Sequence, residues 1–256
     1  MKITHPLSVF LSVDGTDDVP SLARLNALAT QRGLPVRFVP PAADGLSYEE
    51  RIFLAGAVAT RDANAHDLFN ALIWLAFPQT KAMLNRLHVQ ALREQGSAMR
   101  GPLRDALTQF DECGVIVLGT NPELWSALCA HRWQEVFVIQ RAEVERTMRF
   151  VVFGHASHEA LLAPFLGLCG KALFLPVTEA MLIRIDHGDL LEADALLARR
   201  LASADFLTCT PRAWQPLPLL GIPGATEANE MPDYYADTRQ FRLPRTMPAG
   251  SSPGNR

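Results

Sequence analysis

"RDANAHDLFNALIWLAFPQTKAMLNRLH", Arg61 to His88, decides how the rest of the chain is read. Its longest apolar run, Leu68 to Phe77, is about half of what a membrane span requires, so it reads as buried helix. Pro78 divides it, because proline cannot continue a helical hydrogen-bond ladder. Two helices, or one kinked helix, follow over about 64–77 and 79–95. In the first, Leu68, Phe69, Leu72, Leu75 and Ala76 cover one broad face, and Ile73, Trp74 and Phe77 extend it. His66, Asp67 and Asn70 are then confined to the first turns. In the second, Lys81, Asn85 and His88 fall at i, i+4 and i+7, one stripe. An amine, an amide and an imidazole in one stripe can address an anionic or metal-bound ligand. The plainer reading makes Asp67 and Asn70 capping groups, and Lys81 and His88 surface groups.

Upstream, "SLARLNALATQRG" predicts a helix capped by Ser21 and stopped at Gly33. "PVRFVP" predicts a short strand. "YEERIFLAGAVATRD" is expected to be a β-hairpin, with Ile52 and Leu54 on one face and Ala55-Gly56 near the turn. A hairpin before a helix has the order of a ββα metal-nuclease finger, but "ERIFLAG" lacks the histidine that motif needs.

Downstream, "LRDALTQF" predicts a short helix and "CGVIVLG" a strand whose continuous apolar character means burial on both faces. "NPELWSALCAHRW" predicts a helix capped by Asn121 with Pro122 at its first position. "EVFVIQ" reads as strand or buried helix end. "RFVVFG" predicts another buried strand, followed by the helix "HASHEALLAPFLG". "KALFLPV" reads as extended, and a final helix is expected over about Asp189 to Ala202. The Pro-rich "PLPLLGIPG" is expected to run extended over the surface. Together these predict a single mixed α+β domain over 1–245, helix-rich with a small sheet, and a disordered tail over 246–256.

Composition narrows the function classes. A hydrophobic fraction of 48% with 20% charged residues is that of a globular chain. Twenty-four basic against 27 acidic residues give a net charge of −3, so no global field holds a nucleic acid. The N-terminal "MKITHPLSVFLSVDG" is too short and polar for a signal peptide, and no membrane span is expected. Cys113, Cys129, Cys169 and Cys209 form no CxxC pair. The first three lie among apolar residues and are expected to be small buried hydrophobes in a reducing cytoplasm.

Two further stretches carry chemistry. In "RGPLRDALTQFDECGVIV", Asp111-Glu112 immediately precedes a buried strand, which would fix carboxylates suited to a metal or to general-base work. Arg100 or Arg104 would hold such a carboxylate or a substrate phosphate. The plainer reading is a turn with solvated acids. In "RFVVFGHASHEALLAPF", Gly154 lets the backbone turn and His155 opens a helix at a strand end. Glu159 could orient it or share a metal, and His158 is nearby, but the pattern is not His-Glu-x-x-His. His131 beside Trp133 reads as structural, a reserve ligand at most. The His66–Asp67 doublet is similar to that of the metal-dependent His-Asp phosphohydrolases, without the rest of their pattern. No P-loop or G-x-G-x-x-G is present.

The stretches "TRDANAHDLFNALIWLAFPQTKAMLNRLH", "RGPLRDALTQFDECGVIV", "FGHASHEALLAPFLGLCGKAL" and "PLPLLGIPG" together resemble the bacterial family of unknown function numbered 3025, over about residues 47–245. The resemblance implies no activity or cofactor. It marks His66, Asp67, Asn70, Lys81, Asn85, His88, Arg104, Asp105, Asp111, Glu112, Gly154 and His155 as pattern positions, and favours His155 over His158. The expectation is a cytoplasmic hydrolase for a small anionic, even phosphate-bearing, substrate. His155, Asp111, Glu112 and His66 would be catalytic. His66, Asp67, Asp111 and His155 would hold a divalent metal. Lys81, Asn70, Asn85, His88 and Arg104 would bind substrate. The alternative is a non-catalytic ligand- or partner-binding protein whose buried polar network fixes the fold.

Overall fold

The structure, a computed structural model, describes residues 20–43, 45–95 and 101–243. The expectations for the N-terminal stretch, for Arg100 and for the tail lie outside those residues. Helix α1, Leu22–Gln31, starts at Ser21, whose hydroxyl accepts from the Arg24 N–H, and ends before Gly33 at φ +64°. Strand β1, Arg37–Val39, pairs in parallel with β2, Ala57–Ala59.

Between them lies a correction to the hairpin. Tyr48–Ala55 is a helix, α2. Ser47 Oγ accepts from the Glu50 N–H at 3.3 Å while Glu50 Oε2 accepts from the Ser47 N–H at 3.0 Å, a reciprocal cap. Gly56 ends the helix at φ +61°, where a side chain would also collide with the Pro35 carbonyl. These local signals outweigh the two-residue alternation of Ile52 and Leu54, and the ββα reading falls with the hairpin.

Helices α3, Ala65–Ala76, and α4, Pro78–Gln95, follow the division expected at Pro78. Helix α5, Pro102–Cys113, runs three residues beyond the expected short helix and passes straight into β3, Gly114–Gly119. Helix α6, Pro122–Cys129, is capped by Asn121 as expected. The ambiguous "EVFVI" is a π-helical turn, Glu135–Ile139. Helix α7, Arg141–Thr147, leads into β4, Met148–Val152, and then α8, His155–Ala160, shorter than expected. Strand β5, Cys169–Pro176, is followed by α9, Glu179–Asp186, which the sequence reading lacked, then α10, Leu191–Leu201, and α11, Ala204–Leu207.

The main sheet has the order β4-β3-β5-β6, with β6 at Gln215–Pro218. Strand β3 is antiparallel to β4 and parallel to β5. The Pro-rich segment is not a surface strap: β6 pairs antiparallel with β5, and Leu217, Leu219 and Ile222 are fully buried. Prolines fit this edge because their missing N–H costs no interior ladder bond. The sheet separates two cores. Ile116, Leu118, Val151 and Leu175 face the large helical core, and Val115, Val117, Phe150 and Val152 face the second. Alternation along β3 and β4 makes that partition. The result is one helix-rich α+β domain with two small sheets. Of the cysteines expected to be buried, Cys129 and Cys169 are exposed and Cys113 is partly so; Cys209 is the buried one. Apolar sequence neighbours do not fix burial, because flanking residues in a helix or strand point to other faces.

Candidate functional site

The antiparallel register Val115↔Val152 places the start of β3 beside the end of β4. Consequently the last turn of α5, with Asp111 and Glu112, meets the first residue of α8, His155. Gly154 makes this junction tight. Its N–H and that of Phe153 both donate to the Gly114 carbonyl at 2.9 Å, and a Cβ at 154 would run into the Glu112 carbonyl and the Cys113 backbone. Helix α3 packs against α8 and brings in His66 from its first turn.

The two imidazoles meet at their Nε2 atoms, 3.1 Å apart. Glu112 Oε2 lies 3.4 Å from His155 Nε2 and 4.0 Å from His66 Nε2. Behind each ring stands a second carboxylate. Glu159 Oε2 is 3.1 Å from His66 Nδ1, and Asp111 Oδ2 is 4.0 Å from His155 Nδ1. His155 is 4% exposed, and its Nδ1 is buried with no partner in hydrogen-bond geometry. Burial pushes its imidazole down to about 4, against the pull of Asp111. Burial raises the Glu112 carboxyl. Burial also works to raise Asp111, but Lys81 and then His155 outweigh it and hold that carboxyl low.

The expected stripe on α4 turns inward. Lys81, Asn85 and His88 are 3%, 6% and 7% exposed, so none is a surface group. Lys81 Nζ donates to Asp111 Oδ1 at 2.5 Å and to Asn70 Oδ1 at 2.9 Å, and lies 5.6 Å from the Trp74 ring. Asn70 Nδ2 donates to the Tyr48 hydroxyl oxygen at 2.7 Å. Asn85 Nδ2 donates to Glu49 Oε2 at 2.6 Å. Burial pushes the Glu49 carboxyl up to about 7 despite that bond.

Tyr48, Glu49, His66, Asn70, His88, Asp111, Glu112 and His155 are among the residues that wall a cavity of about 310 Å³; Lys81, Asn85 and Glu159 do not reach its wall. Asp67 also reaches the wall, but its carboxylate is held bidentately by Arg61, with Oδ2 at 2.8 Å from Nε and Oδ1 at 2.9 Å from Nη2. The His66–Asp67 doublet therefore does not point as a unit. Arg104, expected to bind substrate or hold a carboxylate, does not line the cavity; Lys81 holds Asp111 instead. His158 Nε2–H donates to the Val152 carbonyl, 3.0 Å away, and the ring stacks on Phe69, apart from the cluster. His131 bonds the Arg242 carbonyl on the far side of the sheet. The sequence reading missed Tyr48 and Glu49, which the hairpin concealed. The signal was present in Ser47-x-x-Glu50, which makes Tyr48 and Glu49 the first two helical residues. It paired Glu159 with His155, whereas the fold gives it to His66.

Among the described residues, one group of His, Cys, Asp or Glu side chains converges closely enough for a metal ion: His66, Glu112 and His155. This cluster stands where a helix end meets two strand ends beside a polar cavity, in a helix-rich α+β domain. The family model described as "Protein of unknown function (DUF3025)" matches residues 36–245, and the chain belongs to that family. No curated protein and no solved structure matches it.

Proposed function

We propose that this chain is a metal-assisted hydrolase in which His66, Glu112 and His155 hold one divalent ion. The supporting observation is the pairing of the two rings. Both Nε2 atoms turn toward one point, and a carboxylate stands behind each Nδ1. Metal-bound histidines typically give their other ring N–H to such a partner. Two nitrogens about 2.0–2.1 Å from a tetrahedral ion lie roughly 3.3 Å apart, close to the spacing of this pair. Without an ion the pair is awkward. His66 Nδ1–H donates to Glu159, so its Nε2 accepts from His155, whose Nδ1 lone pair is left facing the Asp111 carboxylate. With both Nε2 atoms on an ion, His155 carries its proton on Nδ1, toward Asp111. Glu112 supports the same reading: a carboxylate in the last turn of α5 sits at the negative end of the helix dipole, and a cation beside it relieves that cost.

Three protein ligands leave a position open toward the cavity, the arrangement of catalytic rather than structural zinc. An ion there acidifies a bound water and polarises a substrate oxygen. The charge that meets an anionic substrate is then the ion's, because Lys81 is engaged by Asp111 and Arg61 by Asp67. A cytoplasmic setting belongs to the same proposal. It is in keeping with four free cysteines and with the lack, among the described residues, of any helix long and apolar enough to cross a membrane. The second reading, a non-catalytic ligand-binding protein, draws on the paired Asp111–Lys81–Asn70–Tyr48 network, which specifies structure as well as function.

The test is elemental mass spectrometry on untagged protein purified without chelator, with zinc titration of the stripped protein by calorimetry. Near-stoichiometric metal, or zinc binding lost in Glu112→Gln, is expected. Protein that is metal-free as purified and gives no heat or thermal shift with zinc, manganese or iron(II) sinks the proposal.

A further inference from the structure

The chain from Asp111 to Tyr48 has a direction, and the direction ends in the cavity. Lys81 has donors only, so Asn70 must present its carbonyl oxygen to it. That fixes the orientation of the amide, and Asn70 Nδ2 must donate onward to the Tyr48 oxygen. The indole N–H of Trp74, buried without a partner in hydrogen-bond geometry, faces the same oxygen. Asn70 Nδ2 thus occupies one acceptor position of the Tyr48 oxygen from behind. The hydroxyl's own proton has no acceptor in the described structure, although Tyr48 lines the cavity that holds His66, Glu112 and His155.

We propose that the Tyr48 hydroxyl donates a hydrogen bond to an oxygen of the substrate on which negative charge develops, a carbonyl or phosphoryl oxygen, and that Asn70 and Lys81 are positioning residues that aim it. This rests on the metal-assisted reading of the same cavity and adds the substrate's acceptor oxygen to it. A donor prearranged toward that oxygen is worth more in the transition state than in the ground state. Burial pushes the phenol pKa up, so the group stays protonated across neutral pH and remains a donor. The chain also explains a buried lysine that reaches no ligand itself: its charge polarises the Asn70 amide, and through it the phenol. Every atom stays in place in this scheme; a hydrogen bond forms and no proton leaves Tyr48.

The experiment measures binding of inorganic phosphate and of acetohydroxamate, an oxyanion ligand of zinc, to stripped and to zinc-loaded protein by calorimetry, in wild type and Tyr48→Phe. The ring is 37% exposed, so the phenylalanine variant keeps its packing. Phosphate or acetohydroxamate affinity is expected to fall about tenfold or more in Tyr48→Phe, with zinc affinity unchanged and a cooperative melt shifted down by a few degrees at most, because Asn70 Nδ2 loses its acceptor. Asn70→Leu, which removes the amide that aims the phenol without adding charge, is expected to weaken the same ligands, and to have little further effect in the Tyr48→Phe background. Oxyanion binding that is equal in wild type and Tyr48→Phe, or absent with both probes on zinc-loaded protein, overturns the inference. If zinc does not bind but phosphate does and needs Tyr48, the metal reading fails and the donor survives. If zinc binds and Tyr48→Phe changes nothing, the donor fails and the metal reading survives.

Discussion

Two carboxylates, Asp194 buried and Asp111 half-buried, grip adjacent residues of α4, and they are unlike in what they leave undone. Asp194, 1% exposed, reaches from α10 to the start of α4. It accepts from the Gln79 N–H at 2.9 Å and the Thr80 N–H at 2.8 Å, while its carbonyl accepts from the Thr80 hydroxyl at 3.1 Å. It borders a cavity of about 370 Å³, larger than the one at the histidines. One residue along, Lys81 is held by Asp111, and from there polar groups run on to Tyr48, to His155 and to an orphaned ring nitrogen. The Asp194 node satisfies backbone donors that every helix start leaves open, and it stops there. The Asp111 node ends in a hydroxyl proton and a ring nitrogen that the protein itself does not satisfy. Cavity size does not separate the two regions; incomplete hydrogen bonding does.

That contrast can be broken by experiment. Asp194→Ala, which strips the two side-chain hydrogen bonds from a buried helix start and leaves the backbone carbonyl in place, is expected to cost about 2–4 kcal/mol in urea unfolding. Zinc affinity should stay as in wild type. A parallel loss of zinc binding would show that the two nodes are not separate. His155→Ala should do the reverse, weakening zinc about 100-fold or more by calorimetry while retaining a cooperative melt. A variant that binds zinc like wild type would return His155 to a structural role.

Acid should expose the same histidine. Its imidazole is buried neutral, with a folded value of about 4 below the unfolded value near 6.5. The stability it contributes is therefore present above pH 6.5 and is lost as pH falls from there toward 4, because only the unfolded chain readily takes the proton. This amounts to about 2–3 kcal/mol at most. Unfolding free energies at pH 7 and pH 4.5 should differ less in His155→Asn than in wild type, and equal differences would refute this origin of the acid sensitivity. Glu159→Gln is expected to weaken zinc about tenfold without altering urea stability, since it acts through His66. The smallest effect belongs to Glu49. Its carboxyl is pushed up to about 7 from 4.5, so the fold disfavours the ionised form and loses stability as pH rises through that window. Glu49→Gln should then be more stable than wild type at pH 8, by about 1 kcal/mol after allowance for solvent at the cavity mouth, and alike at pH 5. Variants alike at both pH values would place that carboxyl in ordinary solvent.

Much of the site was legible in residue types. His66, Asn70, Lys81, Asp111, Glu112 and His155 all reach the cavity or its hydrogen-bond chain, because a helical stripe and a strand–Gly–His junction constrain direction locally. Asp67 and Arg104 were read as site residues too, but their partners could not be seen in one dimension. Arg61 takes Asp67, and Arg104 lies off the cavity wall. Tyr48 and Glu49 were obscured by a wrong period: two alternating apolar residues outweighed a capping box in the reading, and the reverse holds in the fold.

The sequence by itself determined the helix division at Pro78, the caps at Ser21 and Asn121, the buried β3 and β4, and the family. Those depend on steric limits, backbone donors and apolar periodicity within a few residues. Only the tertiary structure decided that His66 meets His155 across 89 positions, that Glu159 backs His66, and that Lys81 serves Asp111. These contacts follow from strand register and helix packing, which sum many weak apolar contacts over the whole domain, so no single stretch of sequence carries them.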